Sequence, residues 1–271
     1  MPIDPVLHRI DRYLDAVPRA TAEPADVGPL RAFLSRAPWP YYARPRPELD
    51  LTAPGAVTPD DLEAAAQRLT SAGFPAVFEW VHEVVPSMSD ALTDAGYVVS
   101  LHPLLALRLP ATLLGRPRAV LLDAGSPYVR DALAVAEIAF ADPGTAIGDD
   151  GPSARDDAEV PPEQVEHVTG RLADGSAALA AVIDEYHGIV ASGTHVPVDG
   201  ATEVMGVATL PTHRRRGLAA DVVEALLLDA TARGCDLALL SAADDDVARV
   251  YERIGFVRVG HAGAAEPGVL T

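Results

Sequence analysis

Apolar and polar residues follow strand-like and helix-like periods along the chain, most clearly in its second half. From Arg118 onward the pattern predicts strand, helix, helix, three strands, helix, strand, helix and a final strand. The three consecutive strands are predicted over Ala177–Glu185, Gly188–Pro197 and Thr202–Leu210. A helix beginning at Leu218 follows them, with apolar residues at the spacing of one buried face. The second half is therefore expected to form a sheet flanked by helices.

The first half carries a shorter pattern. Two amphipathic helices are predicted over Ile3–Ala16 and Val27–Ser35, followed by a proline-rich segment that breaks regular structure. Between Thr58 and Leu109 the pattern gives helix, strand, helix and strand, with a turn expected near His102. The same order of four elements closes the second half of the chain.

This repeated order indicates an internal repeat. Leu92–Tyr97 lies on the footprint of Tyr251–Phe256, with the glycine and the following aromatic position shared and the leading tyrosine replaced by leucine. The first copy also lacks the arginines that precede the helix of the second copy. We therefore predict two domains, residues 1–112 and 118–271, of which only the second keeps the residues needed for chemistry.

Composition places the chain among ordinary globular proteins, with 271 residues, 49% of them apolar and 22% charged. No apolar run is long enough for a membrane helix and no signal-peptide pattern opens the chain, so we expect a cytoplasmic protein without membrane association. The single cysteine, Cys235, excludes an internal disulfide and a cysteine zinc site. The histidines lack metal-ligand spacing, so no metal is expected.

Acidic residues outnumber basic ones by 39 to 21, and every basic residue is arginine. The absence of lysine from the sequence excludes Schiff-base chemistry and a Walker-type phosphate lysine. A formal net charge of −18 argues against nucleic-acid binding. The same charge favours attraction of a cationic amine, although solubility alone is an equally good explanation.

The stretch Glu203–Ala220 combines a predicted strand, a turn opened by Pro211, an arginine-rich loop and the start of a helix. Gly217 stands at the helix start, where a glycine lets a ligand approach the backbone closely. The first amides of a helix have no internal partner and carry the positive end of its dipole. Flanked by Arg214–Arg216, these amides predict a phosphate or pyrophosphate site, and the alternative is a basic surface turn.

The run Arg214–Ala219 resembles the R/Q-x-x-G-x-G/A motif of the GCN5-related N-acetyltransferase (GNAT) superfamily, and Tyr251–Phe256 resembles its Y-x-x-x-G-F element. The resemblance covers residues 118–271 and implies the GNAT fold, an α/β (α+β) chain with a mixed, mostly antiparallel sheet flanked by helices. The first half resembles the degenerate half of tandem GNAT proteins. One of its strands is expected to complete the sheet, because little chain remains after Phe256.

The resemblance also implies acetyl-coenzyme A (acetyl-CoA) as co-substrate. The fourth strand of the fold is expected to bulge at Gly206 and to splay from the fifth, so that the Val207 amide faces the thioester oxygen. A fully paired strand is the alternative. The residues that the resemblance assigns to the co-substrate are Val207, Ala208, Thr209, Arg214, Arg215, Arg216, Gly217, Leu218, Ala219 and Asp244. Asp244 stands where the family often has asparagine, and its carboxylate is unfavourable beside an anionic ligand.

Two side chains are candidates for proton transfer. Glu203 lies where some GNAT enzymes carry a general base, and it shares a face with Met205 and Val207 if the strand alternates. The alternative for Glu203 is a solvated residue that opens a strand. Rival bases are the carboxylates of Glu185 and Asp184. Tyr251 lies where the family places the acid that protonates the departing thiolate.

These assignments predict an acetyl-CoA-dependent N-acetyltransferase, an acyltransferase that transfers an acetyl group to a primary amine by direct attack in a ternary complex. A ping-pong route through Cys235 is disfavoured because no base is adjacent to it in sequence. The acceptor is expected to be a small-molecule or peptide amine. A catalytically weak acyl-CoA-binding sensor or partner module is the alternative function, and formation of a homodimer is left open.

Overall fold

The computed structural model describes residues 4–112 and 115–268. Its helices are α1 (Pro5–Ala16), α2 (Pro59–Thr70), α3 (Ser87–Asp94), α4 (Val129–Ala141), α5 (Pro152–Asp157), α6 (Pro162–Ala173), α7 (Leu218–Ala232) and α8 (Asp245–Ile254). Its strands are β1 (Ala22–Val27), β2 (Leu30–Ser35), β3 (Ala43–Pro45), β4 (Phe78–Val81), β5 (Tyr97–Arg108), β6 (Val120–Leu122), β7 (Ala178–Asp184), β8 (Gly188–Val198), β9 (Ala201–Thr209), β10 (Leu237–Ser241) and β11 (Val257–Pro267).

This part of the chain divides into two compact units. The first contains the described residues up to Leu104 together with those from Arg258 onward, and the second is Leu105–Val257. The predicted domains, residues 1–112 and 118–271, stay a prediction about the two sequence halves. The compact units have different bounds because β11, near the end of the chain, pairs with β4 in the first unit.

In the first unit the strands lie in the order β1, β2, β3, β4, β11 and β5. β1 and β2 form an antiparallel hairpin, and Gly28 in its turn has a φ of +55°. The helix predicted over Val27–Ser35 is therefore wrong, because Gly28 and Pro29 form a turn and the residues after them form β2. The helix predicted from Thr58 is confirmed as α2, whose capping box joins Thr58 to Asp61.

Two long strands of this unit depart from the sequence prediction. β5 runs without a break through His102, where the sequence predicts a turn. β11 extends to Pro267, although the sequence indicates only a short glycine-rich remainder there. A side chain in place of Gly263 would come within 2.3 Å of the Trp80 ring on β4. This glycine therefore makes room for a neighbouring side chain within the sheet and does not mark a loop.

In the second unit the strand order is β5, β10, β9, β8, β7 and β6, with the last residues of β5 belonging to this unit. The strands from β6 to β9 are antiparallel, and β9 and β10 are parallel. This mixed, mostly antiparallel sheet flanked by helices confirms the predicted fold class. The position of β5 beside β10 confirms that a strand of the first half completes the sheet.

Helices α4 and α7 cover opposite faces of this sheet. On one face the Ser192 hydroxyl of β8 donates a 2.6 Å hydrogen bond to the carbonyl oxygen of Ala132 in α4. On the other face a Cβ atom added to Gly193 would come within 2.8 Å of Val222 in α7. We call these two sides of the sheet the α4 face and the α7 face. Since consecutive strand residues point to opposite faces, the two contacts show on which face each neighbouring residue lies.

Candidate active site

The parallel strands β9 and β10 pair only at their beginnings. Their register runs from Ala201, opposite Leu237, to Glu203, opposite Leu239, and no pairing joins the described residues that follow in the two strands. A cleft of about 1000 Å³ lies at this divergence, lined by β9, the end of β10, the start of α7, α8 and the end of α4. The predicted splay between these two strands is therefore present.

The strand β9 also contains the predicted bulge. The register between β8 and β9 shifts by one residue between Ser192 and Thr194, so that Gly193 alone lies opposite both Gly206 and Val207. Gly206 has a φ of +63°, a left-handed conformation that a glycine adopts without strain. An extra residue in a bulge lacks a regular ladder partner, which leaves backbone groups available at the cleft.

The bulge reverses the side-chain faces of β9. Gly193 is on the α7 face, so its neighbour Thr194 is on the α4 face. Met205 pairs with Thr194 and therefore shares the α4 face, as does Glu203 two residues before it. Val207 lies on the α7 face, since a Cβ atom on Gly193 would be 3.2 Å from its Cγ2 atom. The predicted common face of Glu203, Met205 and Val207 is therefore wrong for Val207. The cause is the extra residue, which breaks the alternation that the prediction assumes.

The anion loop, Arg214–Gly217, leads into the start of α7. Arg215 and Gly217 both have positive φ values, of 64° and 78°, which turn the backbone sharply before the helix. No side chain of the described residues caps α7, so its first amide groups are left for a ligand at the cleft. Leu218 is buried in the core and fixes the helix start, and both Leu218 and the next residue, Ala219, contribute to the cleft lining.

Arg214 has a different environment from the other arginines of the anion loop. It is buried, and its guanidinium donates to the carbonyl oxygen of Ala139 at 3.2 Å, to that of Ala146 at 3.1 Å and to the Asp142 carboxylate at 3.2 Å. A further hydrogen bond of 2.5 Å runs to the Asp142 carbonyl oxygen. Its side chain therefore holds the end of α4 and the loop that follows, and only its backbone is left to contact a ligand in the cleft.

Arg215 and Arg216 also differ from each other. The exposed Arg215 lines the cleft, whereas Arg216 is outside the lining and donates a 3.3 Å hydrogen bond to the Thr212 carbonyl oxygen. Arg118 supports this loop from outside the motif: it donates to the Arg216 carbonyl oxygen at 2.8 Å and, through Nε, to the Asp221 carboxylate at 2.7 Å. Sequence reasoning missed Arg118, because nothing in the local pattern links residues about a hundred positions apart.

Tyr251 lies on α8 and lines the cleft. Its ring packs edge-on against Phe256, with ring centroids 6.2 Å apart. Burial raises the pKa of the Tyr251 phenol to about 12, because a charged phenolate is poorly solvated among apolar neighbours such as Val247 and Ile254. The phenol is therefore protonated at neutral pH, as a proton donor must be.

Asp244 begins α8 in the way that the sequence indicates. Its carboxylate accepts a 2.8 Å hydrogen bond from the Val247 amide, which caps the helix. Within α8 the carboxylate of the cleft lining belongs to Asp246 instead, and this group pairs with Arg249. A contact between Asp244 and a co-substrate stays a prediction. Arg249 and Arg253 also line the cleft one helical turn apart, a spacing that sequence reasoning could have used to find them.

Glu203 lies at the vertex of the splay and lines the cleft. The rival carboxylate of Asp184 is outside the lining and closes a turn, accepting hydrogen bonds from the amides of Tyr186 at 3.0 Å and His187 at 3.1 Å. Cys235 is buried and also lies outside the lining, as expected for a small core residue. The structure thus brings Glu203, but neither Asp184 nor Cys235, to the cleft that holds Tyr251.

Among residues 4–112 and 115–268, no group of three or more His, Cys, Asp or Glu side chains has an arrangement suited to a metal ion. Among the helices of the same residues, none combines the length and the apolar character that crossing a membrane requires.

Comparisons with known proteins agree with this architecture. Residues 188–262 match the family model of FR47-like protein. Comparison with the curated proteins finds no match. A GCN5-related N-acetyltransferase from Kribbella flavida has a similar structure at 23% identity and a TM-score of 0.69, over 97% of this chain and 96% of that chain.

Two further solved structures share the fold at lower identity. A functionally unknown conserved protein from Staphylococcus epidermidis has a TM-score of 0.57 at 13% identity, over 92% of this chain and 95% of that chain. A GCN5-related N-acetyltransferase from Sphaerobacter thermophilus has a TM-score of 0.52 at 16% identity, over 77% of this chain and 67% of that chain. The chain therefore has the fold of these GCN5-related N-acetyltransferases, and its residues 188–262 match the FR47-like family model.

Proposed function

We propose that this protein is an acetyl-CoA-dependent N-acetyltransferase that acetylates a primary amine by direct attack in a ternary complex. The observation that supports the proposal is one cleft that combines an uncapped helix start, a bulged strand, a carboxylate and a protonated phenol. Each of these groups performs a different part of acyl transfer, and a purely structural cleft has no need of all four.

The co-substrate would be held by backbone groups more than by side chains. The first amides of α7 and the anion loop suit the pyrophosphate, and Arg215 adds a positive charge at the same end of the cleft. Ala208 and Thr209, beside the bulge on β9, suit the amides of the pantetheine arm. The Arg214 side chain takes no part in this contact, because it is hydrogen-bonded to the end of α4.

The proton transfers follow from the faces of the sheet. Glu203 lies on the α4 face and would accept the proton of the attacking ammonium group, directly or through a water molecule. The Val207 amide would stabilise the negative charge that develops on the thioester oxygen. In other acyl transfers, one such hydrogen-bond donor raises the rate by roughly 10²–10³. Tyr251, on α8, would give its proton to the sulfur as the carbon–sulfur bond breaks.

Thiol release from acetyl-CoA in the presence of an amine panel tests this function. We expect turnover by the wild-type protein and a loss of roughly 10²-fold in kcat in Tyr251→Phe, since that substitution removes only the hydroxyl. Tyr186→Phe is the matched control, because Tyr186 is 84% exposed and lies outside the cleft. Calorimetry should show that both variants still bind acetyl-CoA. Binding without turnover on any amine would instead support the acyl-CoA-binding sensor.

A further inference from the structure

We infer that the acceptor is a primary amine attached to an apolar, preferably aromatic, group and carrying no carboxylate next to the amine. The inference rests on the proposed function and concerns the α4 face of the cleft. We give the name acceptor wall to five residues of the cleft lining at that face, beside Glu203; they are Phe140, Pro143, Gly144, Thr145 and Met205.

The direction of approach is set by Glu203. Its carboxylate is on the α4 face of β9, whereas Tyr251 is on α8, which packs against α7. An amine that gives its proton to Glu203 while sulfur leaves toward Tyr251 therefore enters from the α4 face. The substituent that carries the amine then lies along the acceptor wall, which is contributed by the end of α4, the loop after it and β9.

The acceptor wall is mostly apolar and contains an unusually exposed aromatic side chain. Phe140, in the last turn of α4, is 60% exposed although it lines the cleft. Met205, a flexible apolar side chain on the same face as Glu203, is only partly buried. A ring or alkyl group bound here would remove this apolar surface from water, which favours binding in proportion to the area covered.

No free cation of the described residues is available on the acceptor wall. Among the arginines of the cleft lining, Arg214 has its guanidinium hydrogen-bonded to the α4 end and to Asp142, and Arg215 belongs to the anion loop. The remaining two, Arg249 and Arg253, lie on α8. A carboxylate adjacent to the acceptor amine would thus lie near Glu203 without a counter-ion, which disfavours amino acids as acceptors.

An acceptor series tests the inference directly. We expect kcat/KM for 2-phenylethylamine to exceed that for ethylamine by about tenfold or more, because a hydrophobic group in such a site is worth about that much. Phenylalanine has the same skeleton plus a carboxylate, and it should be acetylated more slowly than its amide, phenylalaninamide. A preference for phenylalanine, or for ethylamine, over 2-phenylethylamine would overturn the inference.

Substitution of Phe140 tests whether the acceptor wall causes the preference for an apolar substituent. Phe140→Ala should reduce the ratio of kcat/KM for 2-phenylethylamine over ethylamine by about tenfold, mainly through KM, and Phe140→Leu should retain much of it. Ile147→Ala is the control, because Ile147 is 63% exposed in the same loop but outside the cleft lining. An unchanged ratio in Phe140→Ala would contradict the role of the wall.

The outcomes also separate this inference from the proposed function. If the protein turns over amines without any preference for the apolar substituent, the acceptor class is wrong and the acetyltransferase proposal still holds. If calorimetry detects acetyl-CoA binding but no amine of the series or of the wider panel is acetylated, the proposed function fails and the acceptor class fails with it. If other amines of the panel are acetylated but 2-phenylethylamine is not, only the acceptor class fails.

Discussion

At the scale of single residues, the packing around Tyr251 determines its chemistry. The ring lies edge-on to Phe256, with centroids 6.2 Å apart, and apolar residues of α8 surround it. Because this environment disfavours the phenolate, the pKa rises from the ordinary value of 10.0 to about 12. Tyr251 therefore keeps its proton at neutral pH.

This shift gives a titration prediction. Since the folded-state pKa is raised, Tyr251 binds its proton fully below pH 10 and releases it only as the pH approaches about 12. Ultraviolet titration of phenolate absorbance in the wild type and in Tyr251→Phe should differ by one tyrosine at the upper end of that range. If Tyr251→Phe instead lost a tyrosine titration step at or below pH 10, burial would not be raising the pKa of Tyr251.

Gly206 shows what could be predicted for single residues and what could not. A glycine in an otherwise apolar strand indicates a bulge, and the bulge is present at that position. The sequence did not predict that Val207 and Glu203 lie on opposite faces, because a bulge reverses the alternation from which the faces are predicted. Motif residues such as Gly217 were predictable because their chemistry is local, whereas Arg118 acts on the anion loop from a distant position.

At the scale of elements, Arg214 joins the acceptor wall to the anion loop. The sequence predicts residues 142–162 as a loop that is acidic and rich in glycine, and the structure adds the short helix α5 within it. The Gly148 amide donates to the Pro211 carbonyl oxygen at 3.3 Å, and the Thr212 amide donates to the Asp150 carbonyl oxygen at 3.0 Å. Arg214 adds its hydrogen bonds at the start of the same loop.

The loop should therefore loosen when this guanidinium is removed. In Arg214→Ala we expect backbone amides of residues 142–151 to exchange with deuterium about tenfold faster or more, with a loss of about 1–3 kcal/mol in the free energy of unfolding. Arg215→Ala is the matched comparison, because its side chain is exposed and should change acetyl-CoA affinity without changing exchange in the loop. Equal exchange in the two variants would show that Arg214 does not hold the loop.

Elements with strong local signals were predicted well. The α2 start has a hydroxyl cap, a proline in its first turn and early carboxylates, and it begins where those signals indicate. The β1–β2 hairpin was missed because the apolar residues Leu30, Phe33 and Leu34 have the spacing of a helix face, so this segment fits a helix as well as a strand. β11 was underestimated because Gly263 makes room for the Trp80 ring and Gly260 for the Glu83 side chain, contacts that only the tertiary structure reveals.

At the scale of the whole molecule, the net charge and the cleft have different electrostatic characters. The chain carries a formal net charge of −18, yet the cleft lining has four arginines against two carboxylates, those of Glu203 and Asp246. The local cations suit an anionic co-substrate at contact distance, where screening by salt is weakest. The net charge acts at longer range, where it should raise the local concentration of a cationic acceptor.

Salt should therefore slow the acetylation of a cationic amine more than that of a neutral amine. Raising the ionic strength from about 0.01 M to about 0.1 M shortens the screening length from about 30 Å to about 10 Å. Over this range we expect kcat/KM for 2-phenylethylamine, a cation at neutral pH, to fall about two- to tenfold at saturating acetyl-CoA. An arylamine that is neutral at the same pH serves as the control and should show little change. An equal salt response of the two amines would mean that the charge of −18 serves solubility alone and does not attract the acceptor.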